Sequence, residues 1–334
     1  MSWPSHLQRY WYALAQSRQV GRRPRASTLF GQPVALARLG DGRVLALDDR
    51  CPHRQAPLSA GCVQGDGLQC PYHGWRFGVD GRLQALPGLP SGQSLPSVRA
   101  RAWAVREHDG IVWVHRHADA ASEALPAMAT AQPAGSRRFL WSTVFDASLI
   151  DALENVLDAT HTHYVHAGLV RRAGSRRPMQ ATLQPHADGF TVDYHGAAQQ
   201  SGLIYRLFES PRIREWAHFH CPASVQFEYG YRDGSQVCIG LHFAPMTAQS
   251  TRLHVIVHIH GRWAPAWAVR LFVWPFLRRV AMQDRRVLRL QSDNRARFGQ
   301  RDAIGPLDVV RPWLEAFHAD GTRDDRVRHA RLDL

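Results

Sequence analysis

The chain has 334 residues, enough for two domains of ordinary size, each able to bury a core of its own. A hydrophobic fraction of 45% and a charged fraction of 21% are ordinary for a globular protein. The formal net charge is +13, and all 41 basic residues are arginine. They are dispersed in pairs such as Arg22-Arg23, Arg137-Arg138 and Arg285-Arg286. A dispersed excess attracts acidic partners, an acidic redox protein or an anionic membrane surface, but makes no stripe for nucleic acid.

Five cysteines, an odd number at irregular spacing, argue against a disulfide framework and for a reducing, cytoplasmic compartment. The opening segment from Met1 to His6 lacks a charged region followed by an apolar one, so no secretory leader is expected.

In chain order, Pro33 to Leu39 and Arg43 to Leu47 flank Gly40-Asp41-Gly42, a hairpin signal, and Val105 to Glu107 and Ile111 to His115 flank His108-Asp109-Gly110, another. Between them lies an irregular stretch dense in Gly, Pro, Cys and His, which needs an external staple such as a metal. It contains Cys51-Pro52-His53 and Cys70-Pro71-Tyr72-His73-Gly74-Trp75, separated by the sixteen residues Arg54 to Gln69. Each loop pairs one cysteine with one histidine. An asymmetric [2Fe–2S] centre needs this: two thiolates on the inner iron and two neutral imidazoles on the outer one. Zinc also accepts two cysteines and two histidines, but zinc fingers space them Cys-x-x-Cys and His-x-x-x-His. Cys62, at no ligand position, is expected to be a small buried residue.

Residues 119–136, rich in Ala and Pro and without periodicity, read as a linker. A helix is expected from about Ala147 to Val165. It includes Glu154-Asn155-Val156-Leu157-Asp158-Ala159-Thr160-His161-Thr162-His163-Tyr164-Val165-His166. An oxygen-binding ferrous ion wants two imidazoles and one carboxylate on one face. Asn155, Asp158 and His161 are spaced to share a helix face, and the chain must bend after His161 for His166 to join them. His163 should point elsewhere. Alternating runs then cover Phe190 to Tyr194, Ala223 to Tyr231, Gln236 to Phe243 and Arg252 to Ile259, with Asp233-Gly234 marking a hairpin: a large antiparallel sheet. Phe227, Tyr229, Leu241 and Phe243 are candidates to line a pocket. The end is expected to be helical from Ala266 to Phe298, kinked or divided at Pro275. The most apolar stretch, Trp263 to Leu277, is too short to span a bilayer. It packs as core or, with tryptophans beside arginines, lies at a membrane surface.

The two cysteine–histidine loops and the pattern Asn-x-x-Asp-x-x-His-x-x-x-x-His resemble the Rieske non-haem iron oxygenases, and the chain length matches their compact monooxygenase and O-demethylase branch, including vanillate-, dicamba- and pheophorbide-type enzymes. The additional cysteines of respiratory-chain Rieske proteins would fall at Ala56 and Tyr72, so that branch does not fit. The resemblance implies an α+β chain: an all-β Rieske domain (1–118), the linker (119–136), and a helix-grip catalytic domain (137–334) whose antiparallel sheet grips a long helix. It implies a cluster on Cys51, His53, Cys70 and His73, and a mononuclear iron on His161, His166 and a C-terminal acid. Asp284 is the choice for that acid, with Asp293 as rival. Asn155 would sit close to the iron, and Asp158 would bridge to the cluster histidine of a neighbouring subunit in a homotrimer. Expected partners are a reductase or ferredoxin, dioxygen and a small apolar, cyclic or aromatic substrate, hydroxylated or demethylated. The rival classes are an electron carrier with a lipid-binding second domain and a structural zinc protein.

Overall fold

The computed structural model describes residues 3–122, 124–126, 135–171, 176, 178–195, 212–261, 267, 271, 273–299 and 302–333. Two compact units are formed: Met1–Leu125 with Ala244–Ala248, and Pro126–Phe243 with Gln249–Leu334.

The first unit holds ten short strands: β1 (Tyr12–Gln16), β2 (Arg25–Leu29), β3 (Gln32–Arg38), β4 (Val44–Asp48), β5 (Cys62–Gln64), β6 (Gly67–Gln69), β7 (Arg76–Phe77), β8 (Leu83–Ala85), β9 (Ala104–His108) and β10 (Ile111–His115). They form three antiparallel sheets, ordered β1-β10-β9, β2-β3-β4 and β5-β6-β7-β8. Both expected hairpins are present. β3 pairs with β4 across Gly40-Asp41-Gly42, and β9 with β10 across Asp109-Gly110, whose φ values of 55° and 78° suit the primed turn that a two-residue hairpin needs. Leu45, Leu47, Leu58, Leu68 and Phe77 make a core that takes in both Cys51 and Cys70. Cys62 is not the buried residue expected: it begins the edge strand β5, is exposed, and its Sγ lies 3.8 Å from Gln69 Oε1.

In the second unit, β11 (Arg137–Phe145) leads to helix α1 (Leu149–Leu157). Then come β12 (Pro178–His186), β13 (Gly189–His195), β14 (Arg212–His220), β15 (Ser224–Tyr231), β16 (Gln236–Thr247) and β17 (Ser250–His260). Helices α2 (Trp274–Phe298) and α3 (Arg311–Asp320) and the strand β18 (Arg328–Asp333) end the chain. The strands make one antiparallel sheet of eight, ordered β11-β17-β16-β15-β14-β13-β12-β18. α1 packs on β17 and α3, and α2 on β11 and α1. Residue 123 and residues 127–134 of the expected linker lie outside the described residues, as do Arg262, Trp263, Ala266 and Phe272.

One helix boundary differs from expectation. α1 ends at Leu157, not near Val165, because Asp158 takes an extended conformation (ψ 118°) and turns its carboxylate onto the Thr160 backbone N–H at 2.8 Å. Asp and Asn side chains compete in this way with the helical ladder. Of the two outcomes expected at Pro275, a kink or a division, there is no kink: α2 begins at Trp274, beside the proline. Pro275 occupies the first turn, where its missing N–H costs nothing. Trp274 meets Trp141 edge to face with centroids 4.8 Å apart, and Phe276 is buried, whereas Trp267 and Leu271 are exposed. Among the described residues, no helix is long and apolar enough to cross a membrane.

Candidate metal centres and substrate cavity

The two cysteine loops of the first unit repeat one backbone design. The N–H of Cys51 donates to the Ala56 carbonyl and that of Cys70 to the Trp75 carbonyl, each at 2.8 Å. Four residues after each cysteine the chain turns left-handed, at Gln55 (φ 65°) and Gly74 (φ 71°), and the N–H there returns to the cysteine carbonyl. Each loop thus closes around its own cysteine and holds the thiol against the core. Cys51 and Cys70 are 1% and 3% exposed, not joined to each other, and close enough to share a hydrogen bond. Burial pushes the Cys51 thiol up, and Cys70 adds to it. At the rim, the His53 and His73 rings stand 4.6 Å apart, and His53 stacks on Trp75 at 4.5 Å, 5° from parallel. Burial, His73 and Arg54 all lower the His53 pKa, favouring the neutral imidazole that a metal binds, and its Nδ1 is buried without a partner. Two inner thiols and two outer imidazoles fit the asymmetric donor set of a Rieske cluster rather than the separate pairs of a zinc finger.

In the second unit the turn at Asp158 falls before His161, not after it. A 3-10 turn over Thr160–His163 follows, and the His161 carbonyl accepts the N–H groups of Tyr164 and Val165. This brings the rings of His161 and His166 within 5.1 Å, at 74°. Opposite them, from the middle of α2, stands Asp284, 7% exposed. Its Oδ1 lies 3.0 Å from His166 Nε2, 3.5 Å from His161 Nε2 and 3.5 Å from Asn155 Nδ2. One ligand atom from each of His161, His166 and Asp284 falls within 4.8 Å of the others, the only such set of three or more among the described residues. The other ring nitrogens are occupied: His161 Nδ1 donates to the Asp158 carbonyl at 2.6 Å, and His166 Nδ1 to Gln283 Oε1 at 2.9 Å. That leaves both Nε2 atoms facing the carboxylate, the tautomer a metal site needs. Burial would raise the Asp284 carboxyl, but its contacts with His161 and His166 hold it below the usual carboxylate range. Two imidazoles and one carboxylate fit a ferrous facial set.

Asp293 is exposed on α2 and pairs loosely with Arg289 at 4.0 Å. His163 is buried outside the set. Asp158 holds Thr160 with both carboxylate oxygens, 3.9 Å from His161 Nδ1. Gln283 was not singled out from sequence. Its place beside Asp284 was visible, but the side of α2 meeting His166 was not.

His161, His166, Asn155 and Asp284 line the wall of a cavity of about 710 Å³. Across it, alternate residues of three strands point inward: Phe227 and Tyr229 of β15, Val237, Ile239 and Leu241 of β16, and Leu253, Val255 and Val257 of β17. Phe243 continues the alternation but lies beyond the cavity, packed in the core. The intervening positions, among them Gln226, Glu228, His242 and His254, face the other side and are buried as well.

Residues 10–99 match the family model of the Rieske [2Fe-2S] domain, and residues 145–329 match that of the vanillate O-demethylase oxygenase C-terminal domain. The chain is 35% identical over 252 residues to a 4beta-methylsterol monooxygenase of Methylococcus capsulatus, covering 73% of this chain and 66% of that one. It is 33% identical over 158 residues to the oxygenase component of dicamba O-demethylase from Stenotrophomonas maltophilia, 47% of this chain and 46% of the relative. The chain therefore spans from about half to just under two thirds of these relatives. The crystal structure of dicamba monooxygenase bound to 3,6 dichlorosalicylic acid superposes with a TM-score of 0.79 at 21% identity, over 94% of this chain and 96% of that one, a likeness of fold. With a Rieske model at its N-terminal end and the oxygenase model spanning more than half of its length, the chain belongs to the Rieske non-haem iron oxygenases, the family of a [2Fe–2S] cluster and a mononuclear iron.

Proposed function

We propose that this chain is an oxygenase component that takes electrons from a separate reductase or ferredoxin. With dioxygen it hydroxylates or oxidatively demethylates an apolar, cyclic or aromatic substrate. The observation that supports this best is the set of His161, His166 and Asp284 on the wall of a large, mostly apolar cavity. An electron carrier with a lipid-binding second domain has no use for such a set. The domains run 1–118 and 137–334, joined by 119–136.

Cys51, His53, Cys70 and His73 would hold the cluster, and His161, His166 and Asp284 the iron. When bound, the cluster supplies single electrons and the iron activates dioxygen. The chain's own side chains do the rest. The Asp158 carbonyl and Gln283 fix the two imidazoles so that both Nε2 atoms face Asp284. Asn155 places its amide at the same carboxylate oxygen. The walls of β15, β16 and β17 displace water and seat the apolar substrate against that face. Asp158 is the residue through which the centre would communicate with the cluster of a neighbouring subunit in a homotrimer.

The test is an iron, zinc and sulfide count on anaerobically prepared protein, followed by donor-dependent oxygen uptake. Acid-labile sulfide with iron beyond the cluster's share, and oxygen uptake stimulated by apolar cyclic compounds, are expected. Stoichiometric zinc without sulfide would overturn the proposal. The electron route has its own check: Asp158→Asn should retain both metals yet lose most coupled turnover.

A further inference from the structure

The cavity contains a charge that this reading leaves unused. Five residues beyond His166, the chain makes a short bridge between Ala167 and Arg171, with the Gly168 N–H donating to the Arg171 carbonyl at 2.7 Å. The bridge fixes the backbone of Arg171, and its side chain turns inward: it is 6% exposed and lines the cavity. Its Nε is buried with no hydrogen-bond partner. Among the described residues its guanidinium has no ion pair. Glu215 acts on it only at a distance, through its charge, and is itself committed to Arg212 at 3.0 Å. Arg212 also lies over the Tyr229 ring, 4.2 Å from its centroid. That neighbouring pair is neutral, and among the described residues no acid forms an ion pair with Arg171.

A buried, unpaired guanidinium is strongly destabilising, and arginine cannot relieve the cost by losing its proton. Such a group persists where something that arrives later completes it. The guanidinium fork matches a planar, two-oxygen anion, which it binds through two parallel hydrogen bonds. Most of the remaining lining is carbon, Trp141, Phe227, Ile239 and Val255 among it, with Thr162, Asp233 and Ser235 as polar members.

We propose that Arg171 is a specificity-determining residue that binds a carboxylate, or a similarly planar oxyanion, on an otherwise apolar substrate. This rests on the reading of the cavity as the substrate site. The anion fixes one end of the ligand at Arg171, and the apolar body reaches from there toward the wall of His161, His166 and Asp284. A cavity shaped by hydrophobic contact alone discriminates weakly between similar molecules. One with a buried donor rejects an analogue that leaves the donor unpaired.

The experiment is anaerobic titration calorimetry of the iron-loaded protein with two probes of nearly equal shape, naphthoate and naphthalenemethanol. The wild-type chain should bind naphthoate roughly 10- to 100-fold more tightly, the range for hydrogen bonds to a charged group. Arg171→Met should bring naphthoate down to the level of the alcohol and leave the alcohol's affinity unchanged. Equal affinity of the two probes for the wild-type chain overturns the role of Arg171 while the apolar cavity stands as the substrate site. So does a preference that survives in Arg171→Met. If neither probe binds, the cavity is not the substrate site and both readings fall. The wild-type comparison decides the matter even if the variant does not fold.

Discussion

Helices α1, α2 and α3 of the second unit meet on one buried carboxylate, and replacing it tests how the face of His161, His166 and Asp284 is held together. Asp151, in the first turn of α1, is 5% exposed. It accepts from the Ser148 hydroxyl at 2.6 Å, from Arg311 of α3 at 2.8 Å and from Arg295 of α2. Arg311 also reaches Glu154 and Glu315 at 2.7 Å and Asp302 at 2.9 Å. Asp151→Asn keeps the shape and removes the charge, leaving two arginines facing a neutral amide. Breaking a buried pair on one side costs about 3–5 kcal/mol. In a domain of this size that lowers the melting temperature by roughly 6 to 20 °C. The pH dependence follows from the same contacts. Burial would raise the Asp151 carboxyl, but hydrogen bonds from Arg295, Ser148 and Arg311 hold it below the ordinary value of 3.8. A carboxyl depressed in the folded state contributes stability that is present above its unfolded pKa and lost as pH falls through its folded one. The gap between wild type and Asp151→Asn, read from urea titrations of tryptophan fluorescence, should therefore be full near neutrality and shrink below about pH 4. A neutral-pH gap under about 1 kcal/mol, the range of an exposed ion pair, would refute the clamp. So would a gap that does not change with pH.

Three further outcomes follow from the geometry. Gln283→Leu removes the acceptor of His166 Nδ1 and should weaken mononuclear iron binding by about 10- to 100-fold with the cluster intact, measured by chelator competition. Gly74→Ala puts a Cβ 2.8 Å from Pro87 Cγ at a φ of 71°, and should reduce cluster occupancy with a penalty of at least about 1–2 kcal/mol, read from the visible spectrum. The exposed Trp267 and Leu271, with the net charge of +13, suggest weak, salt-sensitive association with anionic vesicles. Recovery of all the protein in the supernatant at low ionic strength would rule that surface out.

Local sequence signals were legible where a short segment settles its own conformation. Gly42, Asp109 and Gly110 adopt the positive φ that their turns need, and both hairpins stand where they were expected. The alternating runs ending in β15, β16 and β17 were equally plain. What failed depended on tertiary partners. α1 stops at Leu157 because one carboxylate prefers the Thr160 N–H, a competition that periodicity does not register. β14 and α3 escaped notice because their apolar faces, with Phe219 against Trp313 at 5.5 Å, exist only once the sheet has formed. The inner side of the sheet was undecidable from alternation, since both its faces are buried and only the packing of α1 and α2 makes one of them a cavity.

The polar residues of α1 illustrate why such a site needs more than its ligands. Asp151 and Glu154 turn toward the arginines of α2 and α3. Asn155, the next residue after Glu154, turns instead to Asp284, and Asp158 ends the helix so that the histidines can follow. One helix thus faces a charged clamp on one side and the metal set on another, with Leu149, Ala152, Leu153 and Leu157 buried between. Asp284 sits near the middle of α2 and Arg295 three turns later. The clamp therefore fixes the angle at which α2 presents its carboxylate to His161 and His166. Loosening the clamp and deleting a ligand should be separable. On the proposed ligand set, Asp284→Ala should abolish mononuclear iron binding, read from an iron count, with the unfolding transition retained. Asp151→Asn lowers stability first and iron affinity only as far as α2 shifts.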